Sequence, residues 1–249
     1  MFRYCSSLEE VPQLDTSSNT HGYSMFDGCI KLKTHLVLDF SSVSNLQVSQ
    51  SSNSPVGNCQ SLTGITMTNT SGIIKMVHFF YNCKSLTEVN ISDTSSVTNM
   101  SYMFRYCSSL EVAPQLDTSS VTNMYGMFDK CSSLEEIPSY DTSSVTNMSV
   151  LNYLNSKLRK IGSLDFSSVT SLSNLNFGTS LLNTSGIYGV IKTHTYNGCD
   201  MTRDNLLIIF NNLGTASSQT IDVRNNPGTD DLTPEDIAIA TSKGWTVTV

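Results

Sequence analysis

Apolar positions in this chain return on two periods at once. Val97, Met100, Met103, Phe104, Cys107 and Leu110 recur at three and four residues, the spacing of one face of an α- or 3₁₀-helix. After the leucine the rhythm becomes alternation, as in Ile65 and Met67 or Val89 and Ile91, which predicts one short strand. Both periods sit inside a longer one. Cys83, Cys107 and Cys131 lie 24 residues apart, as do Cys5 and Cys29, and Cys59 and Cys83. The run Asp117-Thr-Ser-Ser-Val-Thr-Asn-Met124 recurs almost unchanged from Asp93 to Met100 and from Asp141 to Met148. Weaker copies begin at Asp15, Asp39, Asn69 and Asp165, and a degenerate one runs from Asn183 to Ile187. Cys29 and Cys59 are 30 apart, so one repeat should carry an insertion, placed between Gln47 and Pro55.

A unit of this size cannot bury its apolar stripe alone, but stacked on copies of itself it forms one continuous core. The predicted fold class is therefore an α/β solenoid of about eight coils of 24 residues with short parallel strands, over residues 1–198. Pro12, Pro114 and Pro138 fall within the predicted strands and remove ladder donors, so the sheet should be shorter there, reduced to Glu135–Ile137 in the last case. The Ser-Ser pairs after Asp-Thr predict turns closed by side-chain bonds to the backbone. Residues 199–249 break the pattern and read as an α-β-α-β capping segment. Thr202 should cap a first helix that ends before Gly214, and 220–226 alternates as a strand. Thr233-Pro-Glu-Asp236 should open a second helix that Gly244 ends, and Trp245 to Val249 should form a last strand. Leu206, Ile209, Phe210, Ile237, Ile239 and Trp245 are the apolar positions expected to seal the final coil. At the other end, residues 1–8 repeat Met103–Leu110, so the chain starts within a repeat. The expectation is an upstream extension, a partner covering that first coil, or a coil that tolerates exposure.

Composition narrows the function classes. Fourteen Lys and Arg against 21 Asp and Glu give a net charge of −7, which argues against a nucleic-acid partner, since phosphate binding needs clustered cations. A 39% hydrophobic content with ten Phe and ten Tyr is enough apolar surface to fold. No apolar run reaches the roughly 18 residues that cross a bilayer, so direct membrane insertion is not expected.

The segment Asn99 to Leu110, repeated at Asn123 to Leu134, has the form Asn-Met-x-x-Met-Phe-x-x-Cys-x-Ser-Leu. It resembles the BspA-like leucine-rich repeat family of bacterial surface proteins over roughly residues 1–190. The resemblance implies a solenoid of leucine-rich-repeat type, an extracellular or cell-surface location, and adhesion or ligand binding without catalysis; it supplies no active-site residues. Departures occur where Asn155 replaces the Cys, Leu151-Asn152 replaces Met-Phe, and Thr179 stands at the next Cys position.

Candidate chemistry is sparse. Seven cysteines without a Cys-x-x-Cys pair predict neither a zinc knuckle nor a full disulfide framework; at one repeat position they should form a buried, reduced column. His21, His35, His78 and His194 share no ligand spacing. The carboxylates of Asp15, Asp39, Asp93, Asp117, Asp141 and Asp165 suit turn capping better than calcium, and Asp230, Asp231, Glu235 and Asp236 suit a helix N-terminus. No Gly-rich phosphate loop or nucleophile elbow appears. No catalytic residue, metal or cofactor is assigned.

The positions free to vary carry the functional expectation. The two residues after each repeat's leucine change along the chain and should form an exposed recognition surface, with Glu10, Thr34, Glu88, Glu111, Glu135, Glu136, Arg159 and Lys160 as candidate binding residues. The tips carrying Tyr4, Tyr81, Tyr106 and Tyr153 beside Arg3 and Arg105 are a second candidate. The expected function is a non-enzymatic binding or adhesion module for a host or bacterial surface protein or glycan. The alternative is a structural spacer or display element, of a phage or prophage tail-associated protein for example.

Overall fold

The computed structural model describes residues 2–172, 187–199 and 201–249. Met1, Thr179 and residues 183–186 of the degenerate copy lie outside the described residues. In chain order the elements are β1 (Leu36–Asp39), β2 (Leu46–Val48), β3 (Gly64–Thr68), β4 (Ile73–Met76), β5 (Glu88–Ile91), β6 (Glu136–Ile137), β7 (Lys160–Ile161), β8 (Leu164–Asp165), β9 (Ile187–Tyr188) and β10 (His194–Thr195). They are followed by α1 (Arg203–Asn212), β11 (Gln219–Asp222), α2 (Pro234–Thr241) and β12 (Trp245–Thr248).

These strands correct the expected fold class. A regular α/β solenoid of leucine-rich-repeat type requires a strand from every coil, joined along the molecule. The described strands instead form separate small parallel sheets, β1-β3-β5, β10-β11-β12, β2-β4, β6-β7 and β8-β9, and among the described residues α-helix is confined to α1 and α2. Two features of the sequence account for the difference. Proline is the first: Pro12 and Pro114 sit where strands were expected, and among the described residues neither 11–14 nor 113–116 forms one. Past Glu136–Ile137, Pro138 stops β6 after two residues.

Backbone conformation is the second. The three- and four-residue spacing is a chain of turns, closed by Met103 N–H to Met100 O (3.2 Å), Arg105 to Tyr102 (3.1 Å) and Cys107 to Phe104 (3.0 Å). Tyr102 (φ 57°) and Tyr106 (φ 65°) are left-handed, and so are Gly126 (φ 59°) and Lys130 (φ 61°) one repeat later. A left-handed residue with a side chain costs about 1–2 kcal/mol and ends a helix. Here it turns alternate N–H groups outward. Met100, Tyr102, Phe104 and Tyr106 donate to the carbonyls of Asn123, Tyr125, Met127 and Asp129 at 2.8–3.0 Å, and Met124, Gly126, Phe128 and Lys130 repeat the pattern on Asn147, Ser149, Leu151 and Tyr153.

Identical side chains fall into columns as a result. Phe104 stacks between Phe80 (centroids 5.2 Å apart) and Phe128 (5.6 Å). Leu62, Leu86, Leu110, Leu134 and Leu158 are all buried, at about 1.5–3 kcal/mol each. Thr70, Thr94, Thr118 and Thr142, also buried, donate to the carbonyls of Asp93, Asp117, Asp141 and Asp165 in the next repeat at 2.6–2.9 Å.

The thiols of Cys83, Cys107 and Cys131 point at the carbonyls of Val56, Phe80 and Phe104, each 27 residues back. Asn155, which replaces the next Cys, sends its Nδ2 to Phe128 O (2.9 Å) at the same offset, so an amide takes over the thiol's bond. Asn152, three residues earlier, is wholly buried, and neither of its side-chain polar atoms is hydrogen-bonded among the described residues.

In the C-terminal segment, Thr202 and Thr233 close reciprocal capping boxes with Asn205 and Asp236, and Pro234 takes the first helical position. Arg203 binds Asp236 through two bonds, 2.9 and 2.8 Å long, tying α1 to α2. Lys243 Nζ donates to the carbonyls of Phe210, Asn211 and Leu213 at the end of α1.

Candidate functional site

Parallel register decides which variable residues become neighbours. Gly64 pairs with Glu88, Val112 with Glu136, and Glu136 with Lys160. Lys33 N–H reaches Glu9 O (2.9 Å), Glu135 N–H reaches Glu111 O (2.7 Å), and Arg159 N–H reaches Glu135 O (2.9 Å). Within these runs the expected rows lie side by side. They break between β5 and residues 111–116, where no backbone bond or bridge is present among the described residues.

Clefts lie at both flanks of the β1-β3-β5 sheet, beside segments 11–14 and 113–116 that form no strand. One, of about 260 Å³, lies between Val11–Leu14 and β1. The other, of about 280 Å³, runs along β3 and β5 to Gln115. Between them His35 crosses β3 because position 64 is glycine: a Cβ there would lie 2.4 Å from His35 Nδ1. The ring reaches Thr66 Oγ1 (3.0 Å) and comes within 3.9 Å of the Glu88 carboxylate.

The candidate residues differ in what remains available to a ligand. Glu135 pairs with Arg159, Glu136 with Lys160 (2.5 Å), and Glu9 with Lys33 (3.1 Å), whose ammonium holds the Glu9 carboxyl below its usual range. Thr34 Oγ1 accepts from Val11 N–H (3.2 Å). Glu88 accepts from Asn90 Nδ2 (2.9 Å). Glu10 and Glu111 are exposed with no side-chain hydrogen bond among the described residues.

The second candidate, the edge preceding each Cys, is more tightly built. Arg105 Nε lies 2.7 Å from Asp129 Oδ2, an ion pair whose angle is not that of an aligned hydrogen bond. The guanidinium sits 4.9 Å from the ring centres of both Tyr102 and Tyr106. Lys130 Nζ donates to Tyr106 Oη (3.1 Å) and also covers that ring. His78 stacks on Tyr102 at 4.8 Å, and Tyr81 meets Tyr106 edge-on at 5.7 Å. Arg3 repeats the arrangement on buried Asp27 (3.3 Å), with Tyr4 Oη accepting from its Nη2 (3.1 Å). Burial raises the pKa of Asp27 against the pull of Asn58 and Arg3, and of Asp129 against that of Arg105 and Lys130. Neither aspartate stands out by residue type. Their signal is the repeat itself, because Arg3 to Asp27 and Arg105 to Asp129 are each one 24-residue step.

The Asp column caps its own turns. Oδ1 of Asp15, Asp39, Asp93, Asp117, Asp141 and Asp165 accepts the N–H two residues on at 2.7–3.1 Å. Those bonds, with the following serine hydroxyls, lower the pKa of Asp15, Asp117 and Asp141. The thiols of Cys83 and Cys199 are pushed up to about 12 by burial, and those of Cys59, Cys107 and Cys131 are also raised, while Cys5 is exposed. No group of three or more metal-ligating side chains is present among the described residues, and none of the described helices is long and apolar enough to cross a membrane.

Two overlapping matches to one family model, at residues 51–149 and 74–189, cover more than half of the chain. The chain belongs to this family, described as Mycoplasma protein of unknown function, DUF285. No curated protein matches the chain.

Proposed function

We propose that this chain is a non-enzymatic binding module of BspA-like type, carried on a bacterial surface or secreted, and that it engages a host or bacterial surface protein or glycan. The observation that carries the reading is the alignment of non-identical exposed or half-buried polar side chains, Glu10, His35 and Glu88 in one row and Glu111 and Glu136 in a second, on a backbone held within each row by repeat-to-repeat bonds. A rigid frame with variable exposed positions gives additive contacts without an ordering cost in the frame itself. Replacing Glu88, Glu111 and Glu136 by Lys should weaken binding to a partner found in a protein and glycan screen by about tenfold or more. Unchanged affinity would remove this face as the site.

One observation favours a spacer instead. Glu135 and Glu136 are neutralised by Arg159 and Lys160 of the next repeat, which leaves less free charge for a partner. A spacer binds nothing in the same screen while a longer parent protein does.

A further inference from the structure

The acidic rows are not where the chain offers cations. At the edge preceding Cys107 and Cys131, Arg105, Tyr106 and Lys130 converge, and the one carboxylate among them, Asp129, is buried beneath Arg105 with its side chain 3% exposed. Tyr106 Oη accepts from Lys130 Nζ and, weakly, from Arg105 Nη2 at 3.5 Å. Its own O–H is therefore directed elsewhere and has no acceptor among the described residues. The bond from Lys130 lowers the phenol's pKa, which strengthens that proton as a donor. What reaches the surface is a guanidinium, an ammonium and a phenol, all donors, beside the rings of His78, Tyr81 and Tyr102.

We propose that this edge binds an acidic glycan: its carboxylate or sulfate sits against Tyr106, Arg105 and Lys130, and its sugar rings run along the exposed edges of the neighbouring half-buried aromatics. Two features select a sugar over an acidic peptide. The faces of Tyr102 and Tyr106 are already turned to His78, Arg105 and Lys130, so what they leave to a ligand is their positive edges beside spare N–H donors, which suit the many hydroxyl oxygens of a sugar. The rings also follow the repeat direction, from His78 and Tyr81 to Tyr102 and Tyr106, which matches a linear polymer. Left-handed backbone at His78, Tyr102, Tyr106 and Lys130 fixes the ridge before a ligand arrives. This site is separate from the acidic rows and does not depend on them.

The test is calorimetric titration of the full chain with heparin oligosaccharide, polygalacturonate, dextran and poly-glutamate at low and at 0.15 M salt. Heparin, polygalacturonate or both should bind, heparin alone indicating sulfate and polygalacturonate indicating carboxylate, with dextran and poly-glutamate much weaker. Tyr106→Phe keeps the ring and removes only the donor, so the proposal expects a loss of about three- to tenfold. Lys130→Gln should cost about tenfold and flatten the salt dependence. Lys157→Gln, which removes the same charge from an exposed lysine outside this edge, should leave polysaccharide affinity within about twofold apart from a general charge effect removed at 0.15 M salt. The proposal is overturned if both polysaccharides bind no better than dextran, if poly-glutamate binds equally well, or if Tyr106→Phe and Lys130→Gln leave affinity unchanged.

Discussion

The repeats and the C-terminal segment reach order by opposite means. Between Met76 and Ile161 the frame is built from recurring contacts: each repeat has a Thr–carbonyl bond and a thiol or amide in the same column, and stacked rings recur from Phe80 to Phe128. In residues 201–249 each bond is made once, as in the Thr202 and Thr233 caps, the Arg203–Asp236 pair, Lys243 over the end of α1, and Trp245 Nε1 on Gly214 O at 2.8 Å. Repetition lets one short sequence specify many contacts, and every repeat then depends on its neighbours. Single-use contacts cost more sequence but fail separately.

The contrast is sharpest for Phe104→Ala. The ring is wholly buried between two others, so its loss should cost about 3–5 kcal/mol in urea denaturation and lower protection in both adjacent repeats. A cost below about 1 kcal/mol, or one confined to its own repeat, would break the comparison. Thr233→Ala removes one helix cap and should cost about 1 kcal/mol, with exchange faster only around α2.

Smallest at neutral pH is Asp117→Asn, which keeps the Oδ1 acceptor. Its value lies in acid. The bonds from Ser119 hold Asp117 below its unfolded pKa near 3.9, so the stabilisation is full above that value and is lost as pH falls through the folded pKa. Wild type should therefore lose stability below about pH 4 more steeply than the variant. Buried Asp27 and Asp129, with raised pKa, act in the other sense, and their ionisation weakens the fold as pH rises. Parallel acid curves for wild type and Asp117→Asn would remove the turn carboxylate as a contributor.

Much of this was legible in the residues. The cysteine and Asp-Thr-Ser-Ser spacing announces the 24-residue register; Ile65 and Met67 in β3, and Val89 in β5, mark strands by alternation; Thr202 and Thr233 mark their helices. What misled was the spacing of Val97, Met100, Met103 and Phe104, because one apolar face is compatible with a helix or with a chain of turns. Tyr102, Tyr106 and Lys130 decide between them by adopting positive φ, and no rule of composition assigns that to a tyrosine or a lysine. Pro12 and Pro114 were visible as ladder breakers, but the clefts beside their segments depend on how neighbouring chain separates, which residue identity does not encode. In the sites, the rows of Glu111, Glu135 and Arg159 could be read from variability, whereas buried Asp129 required pairing each residue with the one 24 positions away.

The most direct measurement is residue-resolved amide hydrogen exchange on the intact chain. Met100, Tyr102, Phe104 and Tyr106, with Met124, Gly126, Phe128 and Lys130, each donate to the following repeat, although none of them lies in a strand or helix. All eight should be strongly protected while the intervening Ser101 and Tyr125 amides, held only by a local side chain, exchange faster. Exchange of the eight at the rate of an open loop would contradict repeat-to-repeat pairing and, with it, the frame on which both proposed binding surfaces rest.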